Sequence, residues 1–194
     1  MRFMDQVCTG PSCRFGDAHI YYVLPILGEN GRTSRSNMSA LLNIGEGSTR
    51  GLCELLREWG MLDVCQSGMT LSEYGRQFLQ NIPMRLVPVP RSDYVIGTFQ
   101  RGVVVSKASQ KVTDGMYQRD RAIIAGADGA SVFLMEGGDL IMPKNWNMDV
   151  RDPGFSEKVR DMTSMKDGEI LIISGASDPD VATIASIATG LDML

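Results

Sequence analysis

The sequence predicts an α+β protein of two units, a helical N-terminal unit closed by a short β-hairpin and a C-terminal unit of helices packed on a small sheet. Three observations predict it. Apolar residues recur at helical spacing up to Pro83. The proline run Pro83, Pro88 and Pro90 then interrupts that pattern. Beyond it, short apolar stretches separated by glycine turns take over. The expected bounds are 1–83 for the first unit and 91–194 for the second, with 84–90 as a stiff connector.

A first helix is expected over Asp17–Leu27, where Ile20, Val23, Leu24 and Leu27 share a face. Pro25 implies a kink, and Gly28 with the GENG stretch should end it. Ser34–Asn43 follows with Met38, Leu41 and Leu42 apolar, then the turn IGEG. A third helix runs from near Ser48 to about Trp59, with Leu52, Leu55, Leu56 and Trp59 on one face and Gly60 closing it. Met61–Cys65 and Met69–Leu71 form a hairpin through Gln66-Ser67-Gly68, and Ser72 caps a last helix, SEYGRQFLQNI.

Helix, helix-turn-helix, hairpin, helix is the order of a winged helix. The run STRGLCELLREWGMLDVCQSGMTLSEYGRQFL resembles the recognition helix, glycine, wing and LTxxG stretch of MarR-like and ArsR-like regulators. The third helix presents hydroxyls and arginines, types suited to phosphate oxygens and base edges in a major groove. Ser48, Thr49, Arg50 and Arg57 on it, with Arg35 on the helix before, are the candidate DNA-binding residues, Arg50 for base readout. The bland alternative is a solvated face in which Arg50 and Arg57 pair with Glu46, Glu54 or Glu58. The expected wing tip, Gln66-Ser67-Gly68, carries no positive charge.

In the second unit, Tyr94–Phe99 reads as a strand that 102–106 extends or that gives way to a helix. A helix over Asp114–Ala125 should bury Met116, Ala122, Ile123 and Ile124. Ala130–Glu136 and Leu140–Pro143 form a hairpin through Gly137-Gly138-Asp139. Asn145–Gly154 reads as irregular, Phe155–Met165 as a short helix and Glu169–Ser174 as a strongly apolar strand. Asp178 caps a final helix over Pro179–Leu194, whose Val181, Ile184, Ile187, Leu191 and Leu194 are expected to be partly uncovered.

The segments DGMYQRDRAIIAGADGASVF and GEILIISGASDPDVATIASIATGL resemble the archaeal DUF4443 family over nearly the whole chain. That resemblance implies an N-terminal winged helix joined to a C-terminal domain similar to the GAD domains of some aminoacyl-tRNA synthetases and amidotransferases. It implies no established activity. In this half the compact polar cluster is Asp114, Gln118, Arg119 and Asp120, followed by Gly126 and Gly129 at a helix-to-strand turn. Two readings stand open: a pocket for a small anionic effector anchored by Arg119, or an internal ion-pair network of Arg119 with Asp114 or Asp120.

Composition narrows the classes. A net charge of −4 is no footprint of a non-specific nucleic-acid binder. Every basic residue up to Pro83 is arginine, the better residue for forked contacts. The four cysteines form no CxxC pair, so they are read as reduced thiols in preference to a zinc site of Cys8, Cys13 and His19. No phosphate loop, dinucleotide motif or nucleophile elbow is present, so neither an enzyme nor a cofactor is expected. No apolar run reaches the ~20 residues of a membrane span, and no signal peptide is evident; a cytoplasmic location is expected. The expectation is a cytoplasmic transcriptional regulator binding double-stranded DNA as a homodimer, its C-terminal domain dimerising, sensing an effector, or both. The alternative is an RNA- or translation-associated adaptor whose winged helix docks protein or tRNA.

Overall fold

The computed structural model describes residues 15–194. Cys8 and Cys13, and with them the zinc reading, lie outside the described residues. The chain divides into two compact units between Ile82 and Pro83.

The first unit begins with α1 (Asp17–Asn30), α2 (Arg35–Leu42) and α3 (Glu46–Glu58). The hairpin of β1 (Leu62–Cys65) and β2 (Gly68–Leu71) follows, and α4 (Glu73–Asn81) closes the unit. This is the winged-helix order. Helix α1 does not stop at Gly28; it runs through that residue and ends at Gly31, which takes the left-handed φ of 68°. Its core face holds Ile20, Val23, Leu24 and Leu27, all buried, and Met38 of α2 and Leu52 and Leu56 of α3 are also fully buried. The caps fall where side-chain chemistry places them. Ser34 Oγ accepts from Asn37 N–H at 3.1 Å, and Ser72 Oγ accepts from Gly75 N–H at 2.9 Å. A further antiparallel bridge joins Thr33 to Met69, so the chain between α1 and α2 runs beside the wing.

The second unit carries a six-stranded antiparallel sheet. Its strands are β3 (Met84–Val87), β4 (Phe99–Val105), β5 (Gly129–Glu136), β6 (Asp139–Met142), β7 (Trp146–Asn147) and β8 (Ile170–Ala176), in the order β3-β4-β8-β5-β6-β7. Between them lie α5 (Met116–Ile124), α6 (Met148–Arg151) and α7 (Pro153–Thr163), with α8 (Pro179–Asp192) last. Strand β8 is buried along its whole length, which is why it reads as a continuous apolar run. One sheet face packs Val104, Phe133, Leu171 and Ile173 against Met148 of α6 and Phe155 and Val159 of α7. The other carries Val103 and Val105, which Gly190 of α8 approaches closely. Small residues let α8 lie flat there, and Ser186 Oγ bridges two strands by donating to Arg101 O at 2.8 Å and accepting from Ser174 N–H at 3.2 Å.

Four expectations are corrected. Residues 84–87 are not part of a connector: Met84–Val87 is an edge strand paired with Val105–Gly102 of β4. The prolines bracket it rather than break it. Tyr94–Ile96 is not strand, because the Gln100 side chain holds a loop by accepting from Ser92 N–H and donating to Ser92 O and Val95 O. Asn145–Gly154 is not irregular; it supplies β7, α6 and the start of α7. Finally, the burial of α5 and α8 is redistributed. Helix α5 buries Gln118 and Ala122 while Met116, Ile123 and Ile124 stay exposed, since Ala122 meets the small residues Ala127 and Ala185. In α8 Ile187 and Leu191 are buried, against expectation, whereas Val181 and Ile184, and Leu194 just beyond the helix, are half-buried as expected. No helix among the described residues is long and apolar enough to cross a membrane.

Candidate nucleic-acid interface and ligand pocket

In the first unit, arginines from two helices converge. Arg35 opens α2, while Arg50 and Arg57 lie one heptad apart on α3, the same face of that helix. Arg35 and Arg50 line a recess of about 410 Å³ with Ser36, Glu46 and Gly47. Both also line a smaller one of about 80 Å³ that reaches Arg57 and the wing residues Val64 and Met69. Arg50 sits 4.0 Å from Glu54, both side chains more than half exposed, so this pair leaves the guanidinium available to a stronger partner.

The other two candidates differ. Ser48 is half-buried and, two residues before Arg50, falls on the opposite side of the helix. Thr49 does not point outward: it is fully buried, and its hydroxyl donates to Gly45 O at 3.2 Å. A threonine one residue from the exposed arc turns its hydroxyl back on the preceding turn.

One residue escaped sequence reasoning. Arg32, far from the wing in sequence, is carried to it by the Thr33–Met69 bridge. Its Nη1 donates to Cys65 Sγ at 2.9 Å and contacts Ser67 Oγ. The wing therefore has a cation, contrary to its own sequence. The Ser67 hydroxyl and backbone hydrogen bonds, with Arg32 nearby, hold the exposed Cys65 thiol below its ordinary value. Burial pushes the Cys53 thiol of α3 up.

In the second unit a cavity of about 250 Å³ opens over β5. Asp114 and Arg119 line it, as do Lys144 and Trp146 from the β6–β7 segment. The other two predicted ligand residues are elsewhere. Gln118 is buried, donating to Met193 Sδ at 3.2 Å in the core. Asp120 is exposed and pairs with Arg119 at 2.9 Å, both side chains about half exposed. The internal ion-pair network around Arg119 is thus corrected to a solvent-exposed pair, because consecutive helix positions near 120 face outward rather than toward the sheet. Gly115 supplies the left-handed turn, φ 78°, that starts α5 at the mouth of this cavity. Gly126, φ 103°, ends the helix before β5. Among the described residues no group of His, Cys, Asp or Glu is placed to hold a metal ion.

Comparison with known proteins places this architecture. No curated protein matches the chain. Among solved structures it is similar to the hypothetical protein PH0730 from Pyrococcus horikoshii OT3, with 20% identity, a TM-score of 0.76 and 93% of each chain covered. At that identity the likeness speaks for the fold. The model of a domain of unknown function, DUF4443, matches residues 96–193, from the loop before β4 to the end of α8. With about half of its length matched in this way, the chain belongs to the DUF4443 family.

Proposed function

We propose that this protein is a DNA-binding transcriptional regulator whose winged helix reads duplex DNA and whose second unit dimerises and senses a small ligand. The observation that carries the proposal is the convergence of Arg35, Arg50 and Arg57 on one recess. Arg35 is the telling member. It stands at the first position of α2, where the positive end of the helix dipole disfavours a cation, and no acidic residue occupies that turn. A residue set against its own helix suits an external anion, and the phosphate backbone supplies one. Arg57, in the last turn of α3, gains from its helix and is the weaker witness.

Few phosphate contacts follow from four arginines, Arg32 included, and a pair of half-sites read by two protomers compensates. The exposed apolar residues of α5, Met116, Tyr117, Ile123 and Ile124, support self-association of the second unit. Selection from a randomised duplex library, followed by anisotropy titrations of the preferred site, tests the reading. Arg50→Ala should cost ~1–3 kcal/mol and relax one base position. Equal binding of all sequences by wild type and variant would overturn it. In sedimentation, wild type should be dimeric at micromolar concentration and Ile124→Asp monomeric; a monomeric wild type, with and without DNA, would remove the dimer.

A further inference from the structure

We infer that the cavity over β5 binds a small carboxylate with an amino or hydroxyl group on its α-carbon and an apolar side chain, the chemistry of a hydrophobic amino acid or its 2-hydroxy analogue. The inference rests on reading the second unit as a sensor, and it names what is sensed.

Charge is arranged for such a molecule. Two cations come from different segments, Arg119 from α5 and Lys144 from the turn between β6 and β7. Lys144 and Asn145 both take left-handed backbone, φ 74° and 59°, a conformation that disfavours lysine and places it at the cavity. Among the described residues Lys144 has no ion-pair partner. Among the described residues Arg119 pairs with the exposed Asp120, a pair worth little that a ligand carboxylate can replace. Asp114 is the third charge. Its Oδ1 accepts from Met116 N–H at 3.0 Å, which leaves Oδ2 to accept from a ligand donor. Two cations and one anion favour a carboxylate that also carries a donor, a zwitterionic amino acid or a monoanionic 2-hydroxy acid, over a bare dianion or an amine.

Apart from Ser131, whose hydroxyl donates to Tyr94 O at 2.6 Å, the rest of the lining is apolar. Met116, Val132, Met142 and Trp146 face the same space, and methionines adapt to side chains of differing shape. Arg151 stacks on the Trp146 ring, 4.1 Å from its centroid, which steadies the indole. The volume of about 250 Å³ falls below the ~300–1,000 Å³ of sites for drug-sized ligands and suits a single amino-acid-sized molecule.

The test uses the intact protein without DNA. L-phenylalanine, phenyllactate, phenethylamine and inorganic phosphate are titrated by calorimetry, and Trp146 emission is followed in a Trp59→Phe background. The two α-substituted carboxylates should bind competitively and change Trp146 emission, whereas phenethylamine and phosphate should give neither signal. Lys144→Ala should weaken phenylalanine at least tenfold; wild type should favour phenylalanine, whose ammonium pairs with Asp114, over phenyllactate, and Asp114→Asn should erase that preference. Absence of binding by either carboxylate at millimolar concentration would overturn the inference. So would equal binding by wild type and Lys144→Ala, or binding of phosphate alone. DNA affinity of Lys144→Ala, measured separately and expected to equal wild type, keeps this failure distinct from failure of the DNA reading.

Discussion

Arg85 Nη1 and Nη2 donate to the two carboxylate oxygens of Glu169 at 2.8 and 2.9 Å, tying edge strand β3 to the residue that precedes the central strand β8. The Glu169 side chain is 8% exposed and that of Arg85 40%, so one partner is desolvated and the other half in water. Arg85→Ala strands the buried carboxylate. Breaking a fully buried pair costs ~3–5 kcal/mol, and water reaching Arg85 brings the expected loss to about 2–3 kcal/mol. A lower urea midpoint at unchanged slope is the predicted result. An unchanged midpoint would show that the Arg85–Glu169 pair contributes nothing to stability.

The same pair gives a pH dependence. Burial pushes the Glu169 carboxyl up, but hydrogen bonds from Arg85, the Lys166 N–H and Ser106 outweigh it and bring the value to about 2, below the ordinary 4.5. A folded value below the unfolded one contributes stability that is fully present above pH 4.5 and is lost as the pH falls toward about 2. Urea midpoints measured across that window should fall steeply for wild type and less steeply for Arg85→Ala. Parallel profiles would refute the assignment.

Two glycines in the first unit should respond oppositely to alanine. A Cβ on Gly75 would lie 2.3 Å from Met61 O, a backbone atom that cannot step aside, so Gly75→Ala should destabilise by about 1–3 kcal/mol. Gly51, inside α3, would meet only Phe15 Cε1 at 3.8 Å. There alanine should stabilise by about 0.5–1 kcal/mol through helix propensity. Thermal unfolding of both variants checks the pair, and shifts of the same sign would contradict the packing described for α3 and α4.

Arg35→Ala separates stability from binding. Removing a cation from the positive end of α2 should raise stability by about 0.3–1 kcal/mol. If the arginine contacts phosphate, the same change lowers DNA affinity and reduces the salt slope by about 1. Higher stability with unaltered salt dependence would mark Arg35 as a surface residue with no DNA contact.

The two described cysteines should differ in reactivity. Cys65 is exposed, with its thiol held low by Ser67 and Arg32; Cys53 is buried, with its thiol pushed up. Under limiting iodoacetamide at neutral pH, peptide mapping should find Cys65 alkylated and Cys53 intact, and Arg32→Ala should slow the reaction at Cys65. Equal labelling of the two would contradict the burial of α3.

What was legible in the sequence was local chemistry. Ser34, Ser72 and Asp178 act as caps, and Gly137-Gly138 turns the β5–β6 hairpin with positive φ at both positions. Arg50 and Arg57 share a face because helical spacing requires it. What was not legible depended on partners distant in the chain. Tyr94 and Val95 bury as strand residues do, yet the Gln100 side chain bends their backbone into a loop. Gly97 permits the close approach, since a Cβ there would lie 2.3 Å from Ala176 N. Arg32 reached the wing through a single bridge, and Lys144 and Trp146 reached the cavity from a hairpin the sequence left partly unassigned. Ile123 and Ile124 misled because hydrophobic residues are read as buried, and an exposed pair of them is informative only after the helix has been oriented.

The strand order carries a consequence for synthesis. Strands β4 and β5 do not touch each other; each pairs with β8, which is made after both. Until residues 170–176 have left the ribosome, two long apolar strands wait with an open ladder edge, and α8 follows later still to cover the second face of β4 and β8. The winged helix is complete by residue 82 and can fold while translation continues. A nascent chain halted between β7 and β8 would thus present a finished winged-helix unit followed by an unclosed, aggregation-prone sheet. Folding of the second unit must be late, non-local and slow beside that of the first.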